Sequence, residues 1–201
     1  MANRSGFSGK RALDLPQFPP TPADYTPVPS SRMPVISSIP DTLVQESIIR
    51  AVQKVCTTML KHDAGFLEKS AGATYDGFKE KPHVFGSVGF LGKIDGIVYL
   101  CIPDDFAQDA AARMLDMSPA EVEMSGDSTI KDVIGEITNM TVGGFKNALA
   151  DFGFPCKLTL PTIVRGDHLA VANIKGAERH IFHFDCAGHR LVADIQLKQE
   201  G

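Results

Sequence analysis

The chain has 201 residues, 43% of them hydrophobic and 22% charged, a composition suited to one globular domain with room for a tail. A formal charge of −4 argues against nucleic-acid binding, which needs a basic stripe, and no apolar run approaches the roughly 18 residues of a membrane span. The first twenty residues carry basic side chains with no apolar stretch behind them, so they do not form a secretory signal, and a cytoplasmic protein is expected.

Residues 1–40 hold eight of the thirteen prolines, with Ser and Thr between them and no hydrophobic period. Such a stretch cannot bury enough apolar surface to offset its ordering entropy, so it reads as a disordered leader ahead of a domain spanning 41–201. In "DTLVQESIIRAVQKVCTTMLKH" the apolar residues Leu43, Val44, Ile48, Val52, Val55 and Met59 recur at helical spacing, and Asp41 or Thr42 can cap the start. "HVFGSVGFLG" and "GIVYLCIP" read as two strands joined through Lys93-Ile94-Asp95-Gly96, where Asp-Gly is a turn signal. "DDFAQDAAARMLDM" follows as a short alanine-rich helix, and "SPAEVEMSGDS" as a polar connection.

A long helix is expected from about Thr129 to Asp151, stopped by Gly153 and Pro155. Beyond it "KLTLPTIVRG", "HLAVANI", "RHIFHFDCA" and "HRLVADIQLK" read as four strands with turns at Gly166, Gly176 and Gly188. This order predicts an α+β fold: a largely antiparallel sheet with a long helix and shorter helices on one face.

On a helical wheel of the long helix, Ile130, Ile134, Ile137, Thr141, Phe145, Ala148, Leu149 and Phe152 gather on the core side. Asp132, Glu136, Asn139, Gly143, Lys146 and Asn147 gather opposite. Glu136 and Asn139 are three apart and therefore neighbours on one surface. Gly143 continues that stripe, although glycine in an exposed helix interior costs about 1 kcal/mol relative to alanine. Two explanations stand side by side. A bare backbone lets another molecule approach the acid and the amide; alternatively, Gly143 and Gly144 admit a close helix crossing within the fold and the polar pair is merely solvated.

The four cysteines are widely spaced, without C-x-x-C, and read as reduced, buried thiols. His180 and His183 are three apart on a strand and face opposite ways, so they cannot share an ion, and no metal site is expected.

"EITNMTVGG" followed by "LTLPTIVRG" resembles the CheX group of the CheC/CheX/FliY chemotaxis phosphatases, whose signature is E-x-x-N and glycine on a helix ahead of a Pro-Thr-hydrophobic strand. "GFLGKIDGIVYLCIPDDFAQDAAARML" is similar to the family's strand pair and short helix, and the resemblance spans roughly Thr42 to Lys198. It implies an enzyme that removes phosphate from the aspartyl phosphate of a CheY-like response regulator. Glu136 and Asn139 are then the active pair, with Gly143, Lys146, Asn147 and Asp132 in partner docking. It implies no cofactor of the chain's own, the Mg²⁺ coming with the regulator, and a homodimer. Glu46 is followed three residues later by Ile49, so the first helix lacks the motif and one site per chain is expected. A non-catalytic module of a flagellar switch or another two-component complex is the other function this fold would serve.

Overall fold

The computed structural model describes residues 39–70 and 81–199, so the leader expected over 1–40 lies almost wholly outside the described residues. The chain divides into two units, 1–36 and 37–201, and the description concerns the second.

Helix α1 (Asp41–Val55) runs into a π-helical turn, Cys56–Leu60, and on to strand β1 (Ala64–Ser70). Strands β2 (His83–Gly92) and β3 (Ile94–Pro103) precede α2 (Asp104–Leu115), α3 (Pro119–Ser125) and α4 (Asp127–Asp151). Strands β4 (Cys156–Leu158), β5 (Thr162–Gly166), β6 (Glu178–Cys186) and β7 (His189–Gln199) complete the order. The sheet runs β1-β6-β7-β3-β2-β4, with β5 also on β2, and every pairing is antiparallel. This is the expected α+β architecture. Among the described residues no helix is long and apolar enough to cross a membrane.

Period-two alternation assigns the two faces of the sheet. Val84, Val88, Phe90, Val98, Leu100, Ile102, Phe182, Phe184, Ala193, Ile195 and Leu197 join the main core with the helices. The intervening Phe85, Cys101, Ile181 and Val192 form a small cluster on the other face, closed by Val171 and Leu169.

That second cluster explains the clearest departure from the sequence reading. "HLAVANI" is not a strand but an irregular strap. Its backbone is satisfied by side chains instead of a ladder. Gln196 Nε2 donates to the Ala172 carbonyl at 2.9 Å, and the Ile174 N–H donates to Gln196 Oε1 at 2.7 Å. Arg179 reaches the Val171 carbonyl while pairing with buried Asp194. Alternating apolar residues satisfied a strand pattern, but both edges of β7 were already occupied by β3 and β6.

Other differences are smaller. β1 was not anticipated. α3 replaces a polar connection, and its cause is local: Ser118 and Glu121 form a reciprocal capping box with Pro119 at the first helical position. The N-cap of α1 is Pro40 with no side-chain cap, because Asp41 is engaged with Lys69 and His180. "KLTLPTIVRG" is two strands, since Pro161 has no N–H for a ladder. Thr159 bridges the gap, its N–H donating to the Gly89 carbonyl and its Oγ1 accepting from the Gly89 N–H at 3.0 Å.

Arg165 of β5 gathers the starts of two helices. It donates Nε and Nη2 to the two carboxylate oxygens of Asp104, at 2.5 and 2.8 Å, and Nη1 to Asp127 at 3.1 Å. Both aspartates open their helices, where the dipole favours negative charge. The Arg165 hydrogen bonds hold the Asp104 carboxyl below the usual carboxylate range. Replacing Arg165 with Met is expected to cost about 1–3 kcal/mol, between the worth of an exposed pair and the breaking of a buried one. The folded pKa of Asp104 is depressed, so the pair's contribution is complete above the unfolded value of about 3.9 and is lost as pH falls through the lower folded value. Urea unfolding of parent and variant at pH 7 and at progressively lower pH reads both: the two curves should converge in acid.

Candidate functional site on the outer face of α4

Helix α4 is held from three sides. Val133, Ile134, Ile137, Thr138, Thr141, Val142, Phe145 and Leu149 are buried, a broader stripe than the wheel predicted, while Phe152, expected in the core, is 60% exposed just beyond the helix end. Under the helix, Gly86 of β2 accommodates Thr138: a Cβ on Gly86 would stand 2.0 Å from Thr138 Oγ1 and 2.9 Å from its Cβ. Thr138 turns its hydroxyl back to donate to the Ile134 carbonyl at 2.7 Å. On the α1 side, a Cβ on Gly144 would lie 3.3 Å from the Ala51 Cβ.

The face left over carries Asp132, Glu136, Asn139 and Asn147, all exposed, with Gly143 and Lys146 half-exposed among them. The two explanations for the paired glycines divide between them. Gly144 serves the crossing with α1, whereas nothing lies within 4 Å of a Cβ on Gly143. Gly143 is bare surface. Lys146 reaches Asn147 at 3.5 Å, a marginal contact. The side chains of Asp132, Glu136 and Asn139 have no hydrogen-bond or ion-pair partner among the described residues. The acid and the amide therefore stand side by side on the helix, exposed and open to an incoming group.

Two features of this face were not read from the sequence. Met140, 41% exposed, sits between Asn139 and Gly143. Beside Glu136 a groove of about 330 Å³ is lined by Met114, Leu115, Thr129, Asp132, Val133 and Glu136. The wheel could have flagged Met140 from its position one turn past Glu136. The groove needs the crossing of α2 with α4, which no single helix encodes.

Elsewhere, the four cysteines are free and buried. His180 and His183 lie on alternate faces of β6, as expected. The one donor set found among the described residues is Asp41, Glu178 and His180, whose ligand atoms lie within 4.8 Å of one another. Its carboxylates address different nitrogens of the same ring: Asp41 lies 3.0 Å from Nδ1 and Glu178 3.4 Å from Nε2. An ion at the ~2 Å ligand distance from one nitrogen is poorly placed for the other acid, and the Lys69 ammonium already pairs with Asp41. Burial pushes the His180 pKa down while Glu178 pulls it back up. The cluster ties the start of α1 to β1 and β6.

The geometry can be set beside known proteins. The fold is that of a CheC-like superfamily protein from Shewanella sp. PV-4, which is 21% identical, with a TM-score of 0.68 over 81% of this chain and 100% of that one. CheX from Vibrio vulnificus is 23% identical, with a TM-score of 0.66 over 77% of this chain and 99% of that one. A chain of the CheX-CheY-BeF3-Mg²⁺ complex from Borrelia burgdorferi is 19% identical, with a TM-score of 0.61 over 78% of this chain and 98% of that one. No curated protein sequence matches. The sequence model of the family described as chemotaxis phosphatase CheX matches residues 84–185, about half of the chain, and takes in the whole exposed face of α4. The chain belongs to the CheX family of chemotaxis phosphatases.

Proposed function

We propose that this chain hydrolyses the aspartyl phosphate of a CheY-like response regulator, with Glu136 and Asn139 as its working pair. The observation that carries the reading is their common placement: an exposed, unpartnered acid and amide three residues apart on a buried-backed helix, next to the bare backbone of Gly143. A module used only for assembly needs neither side chain.

The residue types suit the chemistry. A water oxygen bonds to phosphorus as the P–O bond to the aspartyl carboxyl breaks in line. The aspartate leaves as carboxylate, and the water proton passes to the departing inorganic phosphate or to solvent. The acyl phosphate is already reactive, and the regulator brings its own Mg²⁺ and lysine, so the phosphatase contributes placement. The Asn139 amide can donate to and accept from a water while remaining neutral at every physiological pH. Glu136 pairs with the regulator's lysine and sets the register. Gly143 leaves room for the docked surface, and Asp132, Lys146 and Asn147 border it. The homodimer rests on the family resemblance, and light scattering on the eluted protein reads it.

A receiver domain charged with a small phosphodonor, then freed of donor, should release phosphate faster when this protein is added in substoichiometric amount. Release at the receiver's own rate would defeat the proposal. Glu136→Ala should raise KM for the phosphorylated receiver by about 10- to 100-fold, the ~1.5–3 kcal/mol worth of a hydrogen bond to a charged group.

A further inference from the structure

We propose that the groove between α2 and α4 seats a second basic side chain of the regulator, a lysine or arginine distinct from the one that meets Glu136, with its charge on Asp132 and its aliphatic stem on Met114, Leu115 and Val133. The inference rests on the reading of Glu136 and Asn139 above and names what that reading leaves open: how a matching regulator is chosen.

The groove, of about 330 Å³, is continuous with the site, because Glu136 forms part of its wall. Its floor is apolar, with Val133 buried and Leu115 46% exposed at the end of α2. Its rim is acidic. Asp132 and Glu136 are four apart on α4, so two like charges stand one turn from each other on the same surface. Three neighbouring acids on these helices are neutralised internally: Asp109 by Arg113, Asp127 by Lys131 and Arg165, and Asp104 by Arg165. Asp132 and Glu136 have no such cation among the described residues. An apolar floor under an unneutralised acid suits an amphipathic cation, which lays a methylene stem on the floor and keeps its charged head at the rim. A purely apolar side chain would leave Asp132 unpaired as the interface closes, and an acidic one would be repelled.

The test uses a Mg²⁺-loaded, beryllofluoride-charged CheY-like receiver, so that binding is read apart from turnover. Asp132→Lys is expected to weaken its Kd at least tenfold, and Leu115→Ser three- to tenfold, with the cost in turnover falling on KM. Asp132→Asn should weaken it less than the charge reversal. Alanine replacement of basic residues around the receiver's phosphorylation site should find one whose effect vanishes when Asp132 is already Asn, which is the coupling a direct pair produces. Parent-like affinity in Asp132→Lys overturns the inference. So does conversion of a dimer to a monomer by Leu115→Ser, which would make the groove a contact between copies of this chain. A parent protein that neither binds nor dephosphorylates the receiver fails differently: it removes the functional reading, and the groove's occupant falls with it.

Discussion

Asn139→Ala is expected to return phosphate loss from the regulator to within a few-fold of its unassisted rate, a fall of about 10²-fold or more from the parent. The size follows from what the side chain is asked to do. Misplacing a reacting group by about 1 Å can cost 10²-fold, and removing one preorganised polar group at a reacting centre costs 10²–10³-fold. The fold should be indifferent. Asn139 is exposed and unpartnered, alanine is the better helix former, and such surface changes stay within about 0.5 kcal/mol. Unchanged thermal unfolding with lost turnover therefore separates chemistry from stability. Two further variants sharpen the assignment. Asn139→Gln keeps the amide but carries it one methylene further out, so most activity should go. Asn139→Asp keeps the shape, but its carboxylate cannot donate a hydrogen bond and repels the phosphoryl group, so it should be nearly inactive as well. Turnover by Asn139→Ala equal to the parent's would remove the amide from the mechanism.

The second large effect concerns stability. Gly86→Ala is expected to cost about 3 kcal/mol or more, because the new methyl would overlap the Thr138 hydroxyl at 2.0 Å and the Thr138 Cβ at 2.9 Å. Rotating the Thr138 side chain relieves the first contact but not the second, since a Cβ moves only with its backbone. The helix must therefore lift from the sheet. Overpacking a close-packed core costs about 1–3 kcal/mol, and more where backbone has to shift. The displaced element is the one that carries Glu136 and Asn139, so turnover should fall beyond the loss of folded protein. Thr138→Ala removes the overlapping hydroxyl, and the double variant should be less destabilised than the sum of the two singles, the non-additivity of residues in contact. Additive urea midpoints in this cycle would mean that the helix is not seated on Gly86.

Why some elements could be read in advance and others could not follows from how local each cause is. α4 has 25 residues of helical period and an evident stop, so its existence, and the exposure of Asp132, Glu136, Asn139 and Asn147, were legible. β2, β3, β6 and β7 carry near-continuous apolar runs of strand length because both faces of the sheet are covered in their middle, and they too were legible. β1, reading AGFLEKS, is an edge strand among the described residues with a single buried residue, and such a strand has little hydrophobic signal to offer. The strap at "HLAVANI" carried the right pattern for the wrong reason. Its apolar residues cover the far face of the sheet, and the partners that hold its backbone, Gln196 and Arg179, lie outside it in sequence.

The division at the site runs along the same line. Local order along one helix determined that an acid and an amide share a surface, because a 3.6-residue turn leaves no other arrangement for positions three apart. The presence of a motif on α4 and its absence on α1 were likewise matters of sequence. Only the packed structure decided which glycine meets a neighbouring helix and which stays bare, since that depends on where α1 crosses. It alone created the groove beside Glu136, whose walls come from two helices that start more than twenty residues apart. Periodicity speaks for one element at a time; a surface built by two elements exists only once the core has fixed the distance between them.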